Sequence, residues 1–373
     1  MPACLQPLVS VIVPVYNSES FLRPCMDSLS AQTLERLEIL CINDGSSDQS
    51  QEILDKFAQK DPRIVIISKP NAGYGHSINM GIDAAKGKYI GIVEADDYVD
   101  SRMFEKLATI AEANDADIVK SDYYNLWEEK ERTISKNLWE GFETHTEQLL
   151  TPKEYPFLFL LPPSIWSAIY KKELLVTNHI RCNETPGASY QDTAFHFKVL
   201  ASAQQVWLHP ERLLFYRRDN EQSSSASKNK AFFICNEHDS IQSWLIENNR
   251  WLPPYSGLAV KLRYNGCLWN LKRISRKLKW PFLRRMQQDF RQLARDNILD
   301  SSELGSMERA FLHLVMRRPR LALAYYLFSR TNILTVTSGN YLRVKLLGLR
   351  IYKKKTNIPP FFEQESKDKE QSN

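Results

Sequence analysis

Val9-Ser10-Val11-Ile12-Val13-Pro14-Val15-Tyr16-Asn17 is a β-branched run that stops at a proline and turns polar. Apolar residues with no alternation read as a strand buried on both faces, which is the mark of a parallel sheet covered by helices. A helix pattern follows, with Ser18 as the expected N-cap and Phe21, Leu22, Cys25, Met26 and Leu29 on one face.

The alternation continues outward from that run. Leu37–Ile42 predicts a second strand that ends in Asn43-Asp44-Gly45-Ser46, and Ile53, Leu54 and Phe57 give a second helical stripe. Ile64–Ile67 is a third strand. Asn71–Gly75 is a Gly-containing loop before a helix around Ile78–Ala85. Tyr89–Val93 is a fourth strand, closed by Glu94-Ala95-Asp96-Asp97. The expected fold class is α/β, a Rossmann-like, mostly parallel sheet flanked by helices. Ligands of such sheets bind beyond the carboxyl ends of the strands, where these polar segments fall. After about Tyr124 the pattern turns irregular, with Trp127, Trp139, Pro152, Pro156, Pro162 and Pro163 suggesting loops. A helix is expected over Asp192–Leu200, then short strands at Val206–Leu208 and Leu213–Tyr216, then helices from about Phe232 to Tyr326.

Composition narrows the classes. The chain has 373 residues, 43% of them hydrophobic, enough for one large domain and a smaller one. No run approaches the ~18–20 apolar residues that a membrane span needs. Leu8–Tyr16 has no basic residues before it and reads as a strand, not a signal peptide, so a cytoplasmic location is expected. The six cysteines form no Cys-x-x-Cys pair and are expected as buried free thiols. Between Gly257 and Lys355 there are 22 Lys and Arg against 5 Asp and Glu, a net of +17, which leaves the rest of the chain at −12. The acidic part suits carboxylate chemistry and the basic part suits an anionic surface.

Taken in order, Val11-Ile-Val-Pro14-Val-Tyr16-Asn17, Asn43-Asp44-Gly-Ser46, Asn71-Ala-Gly73 and Glu94-Ala-Asp96-Asp97 resemble the motifs of family 2 glycosyltransferases over roughly the first 220 residues. The resemblance implies a GT-A fold and an inverting transfer from a nucleotide-sugar, a UDP-sugar first of all. It implies a nucleotide site built from Pro14, Tyr16, Asn17, Glu19, Asp44, Ser46, Asn71, Gly73, His76, Glu94, Arg217 and Arg218. Asp44 matches the Asp that accepts the uracil N–H; a cap on the helix near Ser47 is the other reading, and both could hold. Asp96 matches the metal-binding Asp of the Asp-x-Asp motif and would hold Mn2+ or Mg2+. Glu94 stands where the family has an Asp on ribose. Ile78-Asn79 replaces an Arg-Asn pair, so one positive charge is missing; His76 could compensate in part. In Tyr190-Gln191-Asp192 the family's Glu-Asp pair becomes Gln-Asp, and Asp192 matches the catalytic base. Asp97, Trp166, Tyr190 and Gln191 are assigned to the sugar and acceptor side. Arg217 or Arg218, in a loop that runs on to Ser223–Ser225, would meet the diphosphate, and His209 is a further candidate metal ligand.

The expected domains are 1–230 (GT-A), 231–355 (a basic, mainly helical region) and 356–373 (a disordered tail). Lys272-Arg273, Arg276-Lys277, Arg284-Arg285, Arg317-Arg318 and Tyr341–Arg350 alternate bases with Leu, Trp and Phe, as in helices that lie on anionic lipid. A peripheral position on the inner face of the plasma membrane and a glycan or lipid-linked acceptor follow as expectations, in capsule, lipopolysaccharide or other surface-polysaccharide synthesis. No nucleic-acid recognition module is present. Glu247-Asn-Asn-Arg250-Trp251 approaches the Gln-x-x-Arg-Trp of processive members, but without membrane spans a single-sugar transferase is expected. A nucleotidyltransferase would need a Gly-rich basic loop where Pro14–Asn17 stands, and a non-catalytic nucleotide-sugar-binding or scaffold protein is the remaining alternative.

Overall fold

The computed structural model describes residues 6–127, 132–136, 140–220, 231–329, 334–337, 341–346 and 349–355. The expected tail 356–373, Trp139 and Ser223–Ser225 lie outside the described residues. Two compact units emerge, Met1–Asn270 and Leu271–Asn373.

The first unit is organised by β1 (Val9–Val15), which lies inside the sheet with every residue but Pro14 buried. After it come α1 (Glu19–Ser30), β2 (Leu37–Asn43), α2 (Ser50–Ala58), β3 (Ile64–Ser68), α3 (Tyr74–Ala84) and β4 (Tyr89–Ile92). Their strands run in the order β3-β2-β1-β4, all parallel, with Val9 opposite both Leu37 and Tyr89. Helix α1 buries Leu22, Cys25, Met26 and Leu29. Ser18 precedes it as expected but caps nothing, because its hydroxyl turns back to the Tyr16 carbonyl at 3.2 Å.

The other half of the sheet is mixed. It holds β5 (Tyr98–Val99), then α4 (Met103–Asn114), β6 (Ile118–Trp127), β7 (Arg132–Lys136), β8 (Leu149–Leu150), β9 (Ala168–Lys171), α5 (Lys172–Thr177), α6 (Gln191–Ser202) and β10 (Val206–Arg217). The sheet continues β4-β9-β6-β10-β5, with β9 antiparallel to both neighbours and β6 parallel to β10. The two short strands expected after Val206 are one strand of 12 residues. Its register shifts between His209 and Leu214, around Pro210, which has no N–H to give the ladder. That irregularity is the gap in the apolar pattern.

Helix α6 buries Gln191 and every residue from Ala194 to Ser202, so it shows no clean amphipathic stripe. Helices α7 (Phe233–Glu247) and α8 (Tyr255–Arg273) add Ile241, Trp244, Leu245 and Leu258 to the same core. Residues 231–270 thus fall in the first unit, not in the C-terminal region where the expected boundary at 230 would put them. The Arg250 guanidinium lies 5.4 Å from the Trp244 ring centroid and donates to the Ala201 carbonyl at the end of α6. Five described cysteines, Cys25, Cys41, Cys182, Cys235 and Cys267, are buried and free.

The second unit packs α9 (Arg276–Arg295), α10 (Ser306–Arg317) and α11 (Pro319–Ser329) together. The stretch expected as a further basic helix is instead an antiparallel sheet of β11 (Leu334–Thr337), β12 (Tyr341–Leu346) and β13 (Leu349–Lys355). Among the described residues no helix is long and apolar enough to cross a membrane.

Ser10 is the one polar side chain within β1. Its hydroxyl donates to Glu38 Oε2 across the β1–β2 pair at 2.5 Å and accepts from the Gly87 N–H at 2.8 Å. Ser10→Ala leaves both groups buried without this partner, so a loss of about 1–3 kcal/mol in urea unfolding is expected, with an unchanged denaturant slope. A loss within error would show that the Lys86 N–H, 3.0 Å from the same Glu38 oxygen, suffices for it without Ser10.

Candidate active site

The carboxyl ends of β1, β2 and β4 open into one cleft with room for about 550 Å3. Pro14 to Ser18 line it after β1, Asp44 after β2, and Glu94, Ala95 and Asp96 after β4. Asn71, Tyr74 and Ser77 come from the start of α3, Gly187 and Ala188 from the loop before α6, and Asn220 from beyond β10. A parallel sheet can place polar groups only beyond its strand ends when both faces are covered, which is why these segments converge.

Local hydrogen bonds hold the rim. The Asn17 N–H donates to Ser46 Oγ at 3.1 Å, and Asn17 Oδ1 accepts from the Ser47 N–H at 2.8 Å. Asn17 takes φ +47, a left-handed conformation that Asn tolerates. Asp44 does not cap α2. Its carboxylate accepts the Ala72 and Gly73 N–H groups at 2.8 and 2.9 Å and pairs with the buried Lys69 ammonium. The Tyr16 ring is 53% exposed at the cleft edge.

The acidic end of the cleft carries like charges close together. Glu94 Oε1 accepts from the Tyr74 hydroxyl at 2.6 Å. Burial first, then the charges of Asp96 and Asp192, push the Glu94 carboxyl up to about 8. Asp96 accepts from Asn220 Nδ2 at 2.8 Å. Asp192 sits in the first turn of α6, and burial raises it to about 6 against the opposing hydrogen bonds from Thr193. Glu237 on α7 is fully buried, and the Asp192 charge adds to the burial that lifts it to about 8. Among the described residues that line the cleft there is no Lys or Arg.

Two glycines bring the Asp192 loop to this place. Gly73 has φ +93, and a Cβ there would lie 2.9 Å from the Thr185 carbonyl oxygen. A Cβ on Gly75 would lie 2.1 Å from the Asn183 carbonyl oxygen. Asn79 completes the contact: its amide donates to the Cys182 carbonyl at 3.0 Å and accepts the Cys182 N–H at 2.9 Å.

Several expected site residues stand elsewhere or are already engaged. Glu19 accepts the Gln49 N–H at 2.9 Å, at the start of α2, and is not part of the cleft wall. Asp97 is turned inward, accepts the Arg217 N–H at 2.8 Å, and is held well above the carboxylate range by burial and by Asp96. Arg217 is 4% exposed, donates from Nε to the Asp96 carbonyl at 2.9 Å and lies over the Phe21 ring. Arg218 is exposed beside the Tyr216 ring. Trp166 is stacked on Tyr216 with centroids 4.7 Å apart and meets Tyr123 edge-on, so its ring is a core ring with no open face for a sugar. Gln191 donates to Thr185 Oγ1 at 2.8 Å and to the Gly187 carbonyl at 3.0 Å, knitting its own loop. Tyr190 donates to Asn270 Oδ1 at 3.2 Å. His76 and Ile78 are outside the cleft wall, and Ile78 is fully buried. His209 lies against Glu211 at 3.5 Å and is opposite Ser121, whereas Arg217 is opposite Leu126, five residues on, so His209 stands roughly 16 Å back along the sheet. That distance removes it as a ligand beside Asp96. Tyr74, Asn220 and Lys69 were not expected; the only signal for them is their place next to motif residues.

Residues 10–160 match the family model Glycosyl transferase family 2. The chain is 36% identical over 217 residues to an uncharacterized glycosyltransferase, EpsJ, of Bacillus subtilis; the match covers 57% of this chain and 62% of that protein. It is 32% identical over 220 residues to the glycosyltransferase GlyG of Streptococcus pneumoniae, covering 57% of this chain and 71% of the relative. Among solved structures, the S. aureus TarS fragment 1–349 in complex with UDP-GlcNAc has a TM-score of 0.68 at 18% identity, covering 95% of this chain and 99% of that one, which shows a shared fold. The chain belongs to glycosyl transferase family 2.

Gly75→Ala should force the 182–187 loop off α3 and cost about 1–3 kcal/mol. Hydrogen exchange over residues 182–192 should rise with it. Unchanged protection there would mean that the loop is held independently of α3.

Proposed function

We propose that this chain transfers a sugar from a nucleotide-sugar to a hydroxyl of a glycan or lipid-linked acceptor, with inversion and one sugar at a time, in the synthesis of a surface polysaccharide. The observation that carries this reading is the acidic cleft at the carboxyl edge of β1, β2 and β4. Asp192 stands behind the Gly187–Ala188 part of its wall, near enough for its charge to raise the Glu94 carboxyl. The UDP-GlcNAc bound to the TarS fragment makes a uridine nucleotide the first donor to test.

In this reading the Asp44 carboxylate, steadied by Lys69 and two backbone N–H groups, has lone pairs left for the N–H of a uracil ring. Tyr16 flanks the base, and Glu94, oriented by the Tyr74 hydroxyl, meets the ribose. The diphosphate of the donor is anionic and the cleft wall is acidic, so a hard cation fits between them. Among the described residues no group of three or more His, Cys, Asp or Glu could cage a metal. One or two carboxylates plus substrate phosphates is a usual arrangement for Mg2+, and Asp96, with Glu94 beside it, could supply it. When bound, Mn2+ or Mg2+ would neutralise the charge that develops on the leaving diphosphate. Arg218 is the exposed guanidinium that could add to this from the protein side, since Arg217 is committed to Asp96 and Phe21.

Asp192 takes the proton from the acceptor hydroxyl as that oxygen attacks the anomeric carbon. With its carboxyl at about 6 it is mostly ionised at neutral pH yet more basic than an ordinary aspartate. The basic helices of the second unit form the surface that meets the membrane, at the cytoplasmic face.

Asp192→Asn should lower transfer by about 10²–10⁴-fold while UDP binding stays unchanged. Because the base must be unprotonated, turnover of the wild type should fall as pH drops through about 6. Release of nucleoside diphosphate across a panel of UDP-, GDP- and dTDP-sugars, with manganese or with chelator, tests the whole reading. Binding of the nucleotide without turnover on any acceptor would favour a non-catalytic binding protein instead.

A further inference from the structure

The second unit contains an open groove of about 740 Å3 lined by Trp280, Arg284, Arg318, Pro319, Arg320 and Leu321. One wall is α9, where Trp280 and Arg284 stand one turn apart with the guanidinium 6.0 Å from the indole centroid. The other wall is the junction at which α10 ends in Arg317 and α11 begins at Pro319. Arg318 and Arg320 flank that proline. All three arginines are exposed, and among the described residues none of them has a carboxylate partner. Arg285, by contrast, pairs with Asp289 at 2.6 Å one turn along α9.

The apolar members of the groove are also uncovered. Trp280 is 37% exposed and Leu321 52%. A purely solvated bundle would bury such side chains or intersperse acids among such bases. Three unneutralised guanidinium forks around an apolar floor fit a different partner. Arg forks bind phosphate oxygens in pairs, and a Trp with one dry side and one wet side favours the boundary between acyl chains and headgroups.

We propose that this groove seats the phosphodiester headgroup of an anionic membrane phospholipid, with Trp280 and Leu321 entering the acyl boundary. The inference rests on the membrane-facing reading of the second unit and names the site that would carry it. It does not depend on the donor chemistry of the first unit.

The test is flotation of the full chain with vesicles of phosphatidylcholine alone and of phosphatidylcholine mixed with phosphatidylglycerol. The wild type should float with the mixed vesicles, lose binding as salt rises, and ignore phosphatidylcholine. Arg284→Gln/Arg318→Gln/Arg320→Gln should weaken binding about a hundredfold, on the basis of roughly fivefold for each arginine near an anionic surface. The control Arg276→Gln/Lys277→Gln/Arg295→Gln removes the same charge elsewhere in the unit and should weaken binding far less. Brominated lipid should quench the wild-type tryptophan emission more than that of Trp280→Phe. An unchanged far-UV circular dichroism spectrum and thermal midpoint in each variant report that the chain is folded. A wild type that binds no vesicles would overturn both the membrane-facing reading and the headgroup site. Binding that the two triple variants weaken equally would leave the membrane reading and overturn the groove.

Discussion

The site depends on a backbone contact that only glycine permits. Gly73 and Gly75 let the 183–187 loop lie directly on the start of α3, and any Cβ at either place would strike a carbonyl oxygen. Asn79 and Gln191 then hold the loop from both ends. Without that contact the strand ends would still make a nucleotide-sized cleft. Asp192, however, would not be carried from the far half of the chain to the side of Glu94. Sheet topology places the cleft, and two missing side chains place the loop that leads into Asp192.

The resulting concentration of carboxylates is expensive for folding. Glu94, Asp97 and Asp192 are all raised by burial, and the first two are raised further by Asp96. Perturbed groups of this kind cluster where chemistry needs them, because burial that only served packing would favour apolar residues. The fold limits the cost by dividing the labour. Asp97 turns inward and ties the β4 end to β10 through the Arg217 N–H, while Asp96 and Glu94 stay at the cleft. Arg217, the nearest buried cation, offsets part of the charge from behind and leaves the cleft wall itself acidic.

How much of this could be read in the sequence follows from periodicity. Strands buried on both faces read as apolar runs, so β1 to β4 and the polar residues at their ends were legible. Strands β6 and β9 were not, because irregular, proline-interrupted sequence surrounds them, and β10 read as two short strands because a register shift around Pro210 breaks its pattern. Motif residues were legible as a set, but the direction of each side chain was not. Asp97 and Gln191 sit beside cleft residues in the sequence, yet their side chains face the protein. Trp166 carries the chemistry of a sugar platform, but Tyr216 already covers it. Tyr74 and Lys69 show the converse: neither belongs to a recognisable motif, and only folding puts the Tyr74 hydroxyl on Glu94 and the Lys69 ammonium on Asp44.

An acidic cleft opposes an anionic donor, and the opposition is useful. A bare diphosphate is repelled by Asp96, whereas one whose charge is neutralised is not, so a cleft wall without Lys or Arg disfavours free phosphates. An arginine-lined cleft would bind any of them. On the proposed reading, Arg284, Arg318 and Arg320 of the other unit, which have no carboxylate partner among the described residues, would turn the same indifference to the phosphate's owner into an advantage on a surface made of headgroups. Surface ion pairs contribute little to stability, so leaving those arginines without acids costs the fold almost nothing. On that reading the separation of a net −12 from a net +17 along one chain would keep two kinds of phosphate recognition from competing.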